Sequence, residues 1–253
     1  MKTSTINYLN NESKCFNTDE VSFVNEVKTI ATEPIKPSFH SHQLQDDLIR
    51  AYDSQKHDDN LTAYLLKNFS FDEVQKATQY YYVTGTNYFW NNATVFWQID
   101  NKEQIRGAKI MLYNKHTGKR IKEPYNHINW LHKAIKEPDF NLSQCLFGLH
   151  LINEDYQKNI AIVESEKTAI VMSIFLSDFI WLATGSKSNF KFDTLEPLKK
   201  RNVIAFPDKG EYNNWLNKSI ELNGKGFKIA VSNLLEQTEF NNGFDLADYF
   251  FKS

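Results

Sequence analysis

The sequence predicts an α+β chain, with a small antiparallel sheet in its N-terminal half and a mostly parallel sheet in its C-terminal half. Three patterns predict this. Residues 94–99 alternate and are rich in β-formers, residues 100–103 read as a turn, and residues 105–113 return as a second strand. From residue 157 onward, apolar strands alternate with stretches of helical spacing over roughly a hundred residues, the pattern of a parallel-cored sheet. A hydrophobic content of 41%, with 14% aromatic residues, supplies the material for a packed core.

Residues 1–43 read as a polar, asparagine-rich arm with one helix at 18–29, broken afterwards by Pro34 and Pro37. Residues 44–156 form the predicted N-terminal subdomain. In it Ser70 and Glu73 make a capping box that opens a helix running to about Tyr81. After the two strands comes a basic hairpin tip at 115–122, carrying Lys115, Lys119, Arg120 and Lys122, then Glu123, Pro124, Tyr125 and Asn126, and a strand led by Leu146, Phe147 and Gly148. Residues 157–253 form the second predicted domain. Four apolar residues at 160–163 make a buried strand, and residues 165–176 place Ala169, Ile170, Ser173 and Ile174 at helical spacing. Further strands are predicted at 179–183, 202–206 and 226–231, with helices at 211–222 and 245–251.

Ligands of open parallel sheets sit beyond the carboxyl ends of the strands. Glu164 ends the first strand and Asp208 follows the third, so both are expected at neighbouring strand ends. The loop at 184–189 offers backbone N–H groups and Lys187 to a phosphate. Plainer readings exist for each residue. An acidic residue at a strand-to-helix junction is often held by the helix dipole, Pro207 and Asp208 suit a turn, and Asp245 and Asp248 suit a helix start. A basic hairpin tip is commonly just solvated.

The order of these elements resembles a Toprim domain. The resemblance rests on Val163 to Ala169 around Glu164, on Ala183 to Gly185, on Ile204 to Gly210 around Asp208, and on Phe244 to Tyr249 around Asp245 and Asp248. The preceding stretch is similar to the N-terminal part of the DnaG-type primase polymerase domain, and the whole resembles primase-like Toprim proteins of phages and mobile elements. The resemblance implies a primase-like N-terminal subdomain packed on a Toprim α/β domain, with Mg²⁺ or Mn²⁺ held by Glu164, Asp208, Asp245 and Asp248. It also implies catalytic roles for Glu164 and Asp208, a groove for single-stranded DNA, ribonucleotides as substrates and a replicative helicase as partner. Nucleic-acid contacts are expected from Arg106, Lys109, Lys115, Lys119, Arg120, Lys122, Asn126 and Lys187. The chain departs from the family where an Asp-x-Asp pair is expected. Beside Asp208, the second carboxylate is replaced by Gly210 in one register or Phe206 in the other, and Thr168 stands where another aspartate is common.

A net charge of −2 and a pI near 6.4 require any nucleic-acid surface to be local. Cys15 and Cys145 form no metal pattern, no zinc-module spacing is present, and His127 and His132 lack the i, i+4 relation of helical ligands. His40 and His42 alternate like strand neighbours and could chelate weakly, but an unstructured arm is the plainer reading, and the five tryptophans are expected mostly in the core. The absence of a signal layout or of a long apolar run points to the cytoplasm and away from a membrane. Three functions follow from the resemblance: an active primase-like nucleotidyltransferase, a catalytically degenerate DNA-binding module, or a Toprim-type nuclease with Glu166 or Glu211 as base.

Overall fold

The computed structural model describes residues 36–40 and 59–252. The predicted helix at 18–29, Cys15 and His42 lie outside the described residues. Asp59 starts the continuous part by capping helix α1, Asn60–Leu65. One of its carboxylate oxygens accepts from Leu61 N (3.0 Å), Thr62 N (3.1 Å) and Thr94 Oγ1 (2.6 Å), and the other from Thr62 Oγ1 (2.6 Å). A buried carboxylate thus ties a helix start to the neighbouring sheet. Helix α2, Phe71–Tyr80, begins on the predicted capping box, with Glu73 Oε2 accepting from Ser70 N at 2.9 Å.

The first sheet is antiparallel in the order β1 (Thr84–Thr86), β2 (Ala93–Ile99), β3 (Ile105–Met111) and β4 (Ile128–Trp130). Every residue of β2 is buried. Its alternation therefore divides two cores rather than core from solvent. Val95, Trp97 and Ile99 pack with Ile105, Ala108, Ile110 and Leu131 on one face, while Phe96 joins the main core on the other.

The second sheet is wholly parallel, β6-β5-β7-β8, built from β5 (Asn159–Val163), β6 (Phe179–Ala183), β7 (Asn202–Ala205) and β8 (Lys228–Val231). Helices α3 (Glu166–Phe175), α4 (Tyr212–Asn223) and α5 (Leu246–Lys252) are the longest helices of this half. In β5 residues 160–163 are entirely buried, as a central parallel strand requires. Ile162 pairs with Ala205 and Val163 with Ala183, which brings three strand ends together.

One hydrophobic core runs through both sheets, and the described residues all fall within one compact unit. Tyr81, fully buried, donates from its hydroxyl to Trp181 O at 2.8 Å and stacks on Phe147 at 5.1 Å. Among the described residues no helix is long and apolar enough to cross a membrane.

The structure departs from the sequence expectation in a few places. The strand expected to be led by Leu146, Phe147 and Gly148 is a single antiparallel bridge from Phe147 to Ala183, because Gly148 at φ 81° turns the chain into a 3-10 helix at Leu149–Asn153. The strand expected at 226–231 begins at Lys228, since Gly226 at φ 91° makes the preceding turn. The strand expected at 105–113 stops at Met111, and Tyr113 keeps one bridge to Arg120. Trp97, Trp181 and Trp215 are buried as expected, whereas Trp90 and Trp130 are half-buried.

Replacing Asp59 with alanine removes the cap and leaves buried donors without an acceptor. A loss of about 2–3 kcal/mol is expected in urea unfolding. A loss below about 0.5 kcal/mol would show that solvent or neighbouring groups satisfy those donors equally well.

Candidate active site

Glu164 leaves β5 at its carboxyl end, and Asp208 follows Pro207 beyond the end of adjacent β7. Both line a cleft of about 490 Å³ between the two sheets. The parallel half also contributes Glu166, Lys167, Gly185, Asp245 and Asp248; the antiparallel half contributes Lys109, Tyr113, Lys119, Arg120 and Lys122.

A buried ion pair crosses the cleft. Lys109 Nζ on β3 donates to Glu166 Oε1 in the first turn of α3 at 2.9 Å, and to Gly185 O after β6 at 2.8 Å. The two side chains are 9% and 3% exposed. Gly185 sits at φ +70°, and a Cβ there would stand 2.8 Å from Glu166 Oε1. Glycine is required for the loop to reach the lysine. Its N–H in turn donates to Glu164 O at 2.8 Å, which holds the β5 exit against the loop.

A second lysine neutralises the far wall. Lys167 Nζ lies 3.4 Å from Asp245 Oδ2 and 3.7 Å from Asp248 Oδ1. Burial disfavours its charge, but the two carboxylates outweigh that penalty and hold its pKa above the ordinary lysine value. Asp245 Oδ1 also accepts from Asp248 N at 2.8 Å, the helix-start role expected of it.

Glu164 and Asp208 are different. Among the described residues neither carboxylate accepts a hydrogen bond or forms an ion pair. Burial, then the charges of Asp245 and Glu164, push Asp208 up to about 8. Burial, then the charge of Glu211, raise Glu164 as well. Two crowded carboxylates with no partner are a natural place for a divalent cation, which would remove both the repulsion and the desolvation penalty. Among the described residues no three His, Cys, Asp or Glu side chains converge to hold a metal ion. The protein oxygens on offer are those of one or two carboxylates. That suits Mg²⁺, which commonly keeps several waters and takes its remaining ligands from substrate phosphates.

The cleft gathers Glu164, Asp208, Asp245, Asp248, Lys109, Lys119, Arg120 and Lys122 from the expected set, but not the rest. Arg106 lines a separate cavity, 3.5 Å from Asp100 and stacked over Phe39 at 5.2 Å. Lys115 is exposed on the hairpin tip, where its carbonyl accepts from Lys67 Nζ at 2.8 Å. Asn126 is exposed on the loop before β4. Lys187, 62% exposed, pairs with Glu211 at 2.9 Å. Glu166 and Glu211, the two candidate bases for hydrolysis, are therefore both held by lysines. His40 hydrogen-bonds Glu137 at 3.2 Å and stacks on Phe140. Sequence reasoning missed Lys167. Its place in the first turn of the helix behind Glu164 was the available signal.

A family model described as "Domain of unknown function (DUF6371)" matches residues 59–209. No curated protein sequence matches. The fold is similar to two solved structures, a DnaG catalytic core and a DnaG primase catalytic domain bound to ssDNA. The first is 13% identical with a TM-score of 0.55, covering 83% of this chain and 74% of that one. The second is 12% identical with a TM-score of 0.50, covering 84% and 76%. At such identity the likeness establishes the fold: a mixed α/β chain resembling primase cores.

Because folding raises the Asp208 pKa from 3.8 to about 8, the folded chain holds a proton that the unfolded chain releases between those values. The contribution of Asp208 to stability is fullest below about pH 4 and falls as pH rises through that window, by up to about 1.4 kcal/mol per unit. In EDTA, Asp208→Asn is expected to melt higher than wild type at pH 8, with a difference that shrinks toward pH 5. Parallel Tm profiles for the two proteins would show that Asp208 ionises freely.

Proposed function

This chain belongs to the DUF6371 family, and we propose that it is a primase-like Toprim protein acting in replication of a mobile element or phage. In this proposal it binds single-stranded DNA along the basic wall of the cleft and joins ribonucleotides at Glu164 and Asp208. The observation that carries the proposal is the pair of unpartnered carboxylates at adjacent parallel strand ends, facing Lys119, Arg120 and Lys122 across one cleft. The primase-core fold supports it. The parallel half is then the Toprim-like domain, and residues 44–156 the primase-like subdomain.

The division of labour follows from charge. Lys119, Arg120 and Lys122 form no ion pair among the described residues, so their charges are available to template or nucleotide phosphates. Arg120 Nε is buried without a hydrogen-bond partner, a donor that a phosphate oxygen would satisfy. Glu164 and Asp208 would hold Mg²⁺ or Mn²⁺, which supplies positive charge at the transferring phosphoryl group and lowers the pKa of the attacking 3′-hydroxyl. Lys109 is committed to Glu166 and keeps the carboxylate wall in place rather than meeting substrate.

A second reading is favoured by one observation. Gly210 and Phe206 provide no carboxylate beside Asp208. A module that binds DNA without turnover would keep the cationic wall and dispense with the acidic pair.

Incorporation of labelled ribonucleotides on single-stranded DNA with Mg²⁺ or Mn²⁺ is the direct test. Glu164→Gln is expected to lower synthesis by at least about 100-fold, the scale of losing a charge-stabilising group, with DNA affinity retained. No synthesis by either protein, with DNA still bound, identifies the non-catalytic module; metal-dependent cleavage identifies a nuclease. DNA affinity itself should fall with salt. Three phosphates neutralised by Lys119, Arg120 and Lys122 give a log–log slope of about −2, and a flat plot would contradict a phosphate-tracking cleft.

A further inference from the structure

We propose that the Lys167 ammonium is a built-in cation for Asp245 and Asp248, so that the cleft takes one divalent ion rather than two. The proposal rests on the divalent-ion site described under the proposed function and adds which carboxylates are withheld from it. Five carboxylates line the cleft: Glu164, Glu166, Asp208, Asp245 and Asp248. Three already face lysines. Glu166 meets Lys109 at 2.9 Å, and Lys167 stands between Asp245 and Asp248 at 3.4 and 3.7 Å.

The geometry makes that neutralisation durable. The Lys167 and Asp245 side chains are only 12% and 13% exposed, so water screens the pair weakly. Asp245 Oδ1 accepts from the Asp248 N–H in the first turn of α5 while Oδ2 faces Lys167, so each oxygen of that carboxylate already has a partner. An ion arriving between Asp245 and Asp248 would have to sit against a fixed positive charge or expel it. The ammonium is tethered to the helix that starts just after Glu164, so its ordering is settled when the chain folds, unlike that of a diffusible ion. What remains without a lysine partner is the pair Glu164 and Asp208, and one divalent ion that displaces the Asp208 proton matches two carboxylates.

The test is Mn²⁺ titration of the full chain, following the free-ion signal by electron paramagnetic resonance. One site per chain is expected for wild type. Lys167→Met uncovers Asp245 and Asp248 and should raise the count to two. Adding Asp245→Asn and Asp248→Asn to that variant should return it to one. If Lys167→Met fails to fold, as its circular dichroism would reveal, Asp245→Asn/Asp248→Asn with Lys167 retained decides the matter. That variant should keep one site at an affinity within about threefold of wild type, a shift of under about 1 kcal/mol. Two sites in wild type, no added site in a folded Lys167→Met, or loss of the site on replacing the two aspartates overturns the proposal. Wild type binding no Mn²⁺ overturns the divalent-ion site as well, whereas two sites in an active enzyme overturns only the role of Lys167.

Discussion

The buried pair between Lys109 and Glu166 is the contact on which the cleft depends. It joins a strand of the antiparallel sheet to the first turn of the helix behind Glu164, and the same ammonium reaches Gly185 O beyond β6. Three segments far apart in sequence meet on one nitrogen. Removing either charge would leave the other buried and unpaired, a far larger penalty than the pair's net contribution to stability. Its value is therefore geometric, since it fixes the distance between the basic and acidic walls. Gly185 makes the contact possible, because any side chain there would meet the Glu166 carboxylate.

Around that contact the cleft divides its charges unequally. Lysines hold Glu166, Asp245 and Asp248, while Glu164 and Asp208 are left half-buried with raised pKa values. Folding tolerates this because the hydrophobic core beneath, running from Leu61 to Ala247 through both sheets, is continuous. Strained electrostatics concentrated at one point of an otherwise well-satisfied structure is a common property of binding and catalytic sites. The parallel topology dictates where that point lies. Adjacent β5 and β7 run in the same direction, so the residues that end them meet at one edge of the sheet.

Much of this was legible from local pattern. The continuous apolar run at 160–163 marks a strand buried on both faces, and Ser70 with Glu73 marks a helix start whose hydrogen bonds are made within four residues. Such signals survive in sequence because their causes are local. Short elements were not legible: Asn60–Leu65 and Ile128–Trp130 are too brief to show a period, and tertiary contacts hold them. Gly148 turned an expected strand into a single bridge through its left-handed backbone conformation, which spacing does not reveal.

The sequence by itself determined the strand-and-helix alternation, the placement of Glu164 and Asp208 at strand ends and the basic character of the 115–122 turn. Each follows from periodicity or from the chemistry of neighbouring residues. Only the tertiary structure decided which charges are spoken for. Lys109 finds Glu166 across 57 positions and Lys167 finds Asp245 across most of the C-terminal half, while Arg106 turns away to Asp100. A charge takes its partner from whatever the packed core brings within about 4 Å, and Coulomb attraction in a poorly screened cleft depends on that distance and not on separation along the chain.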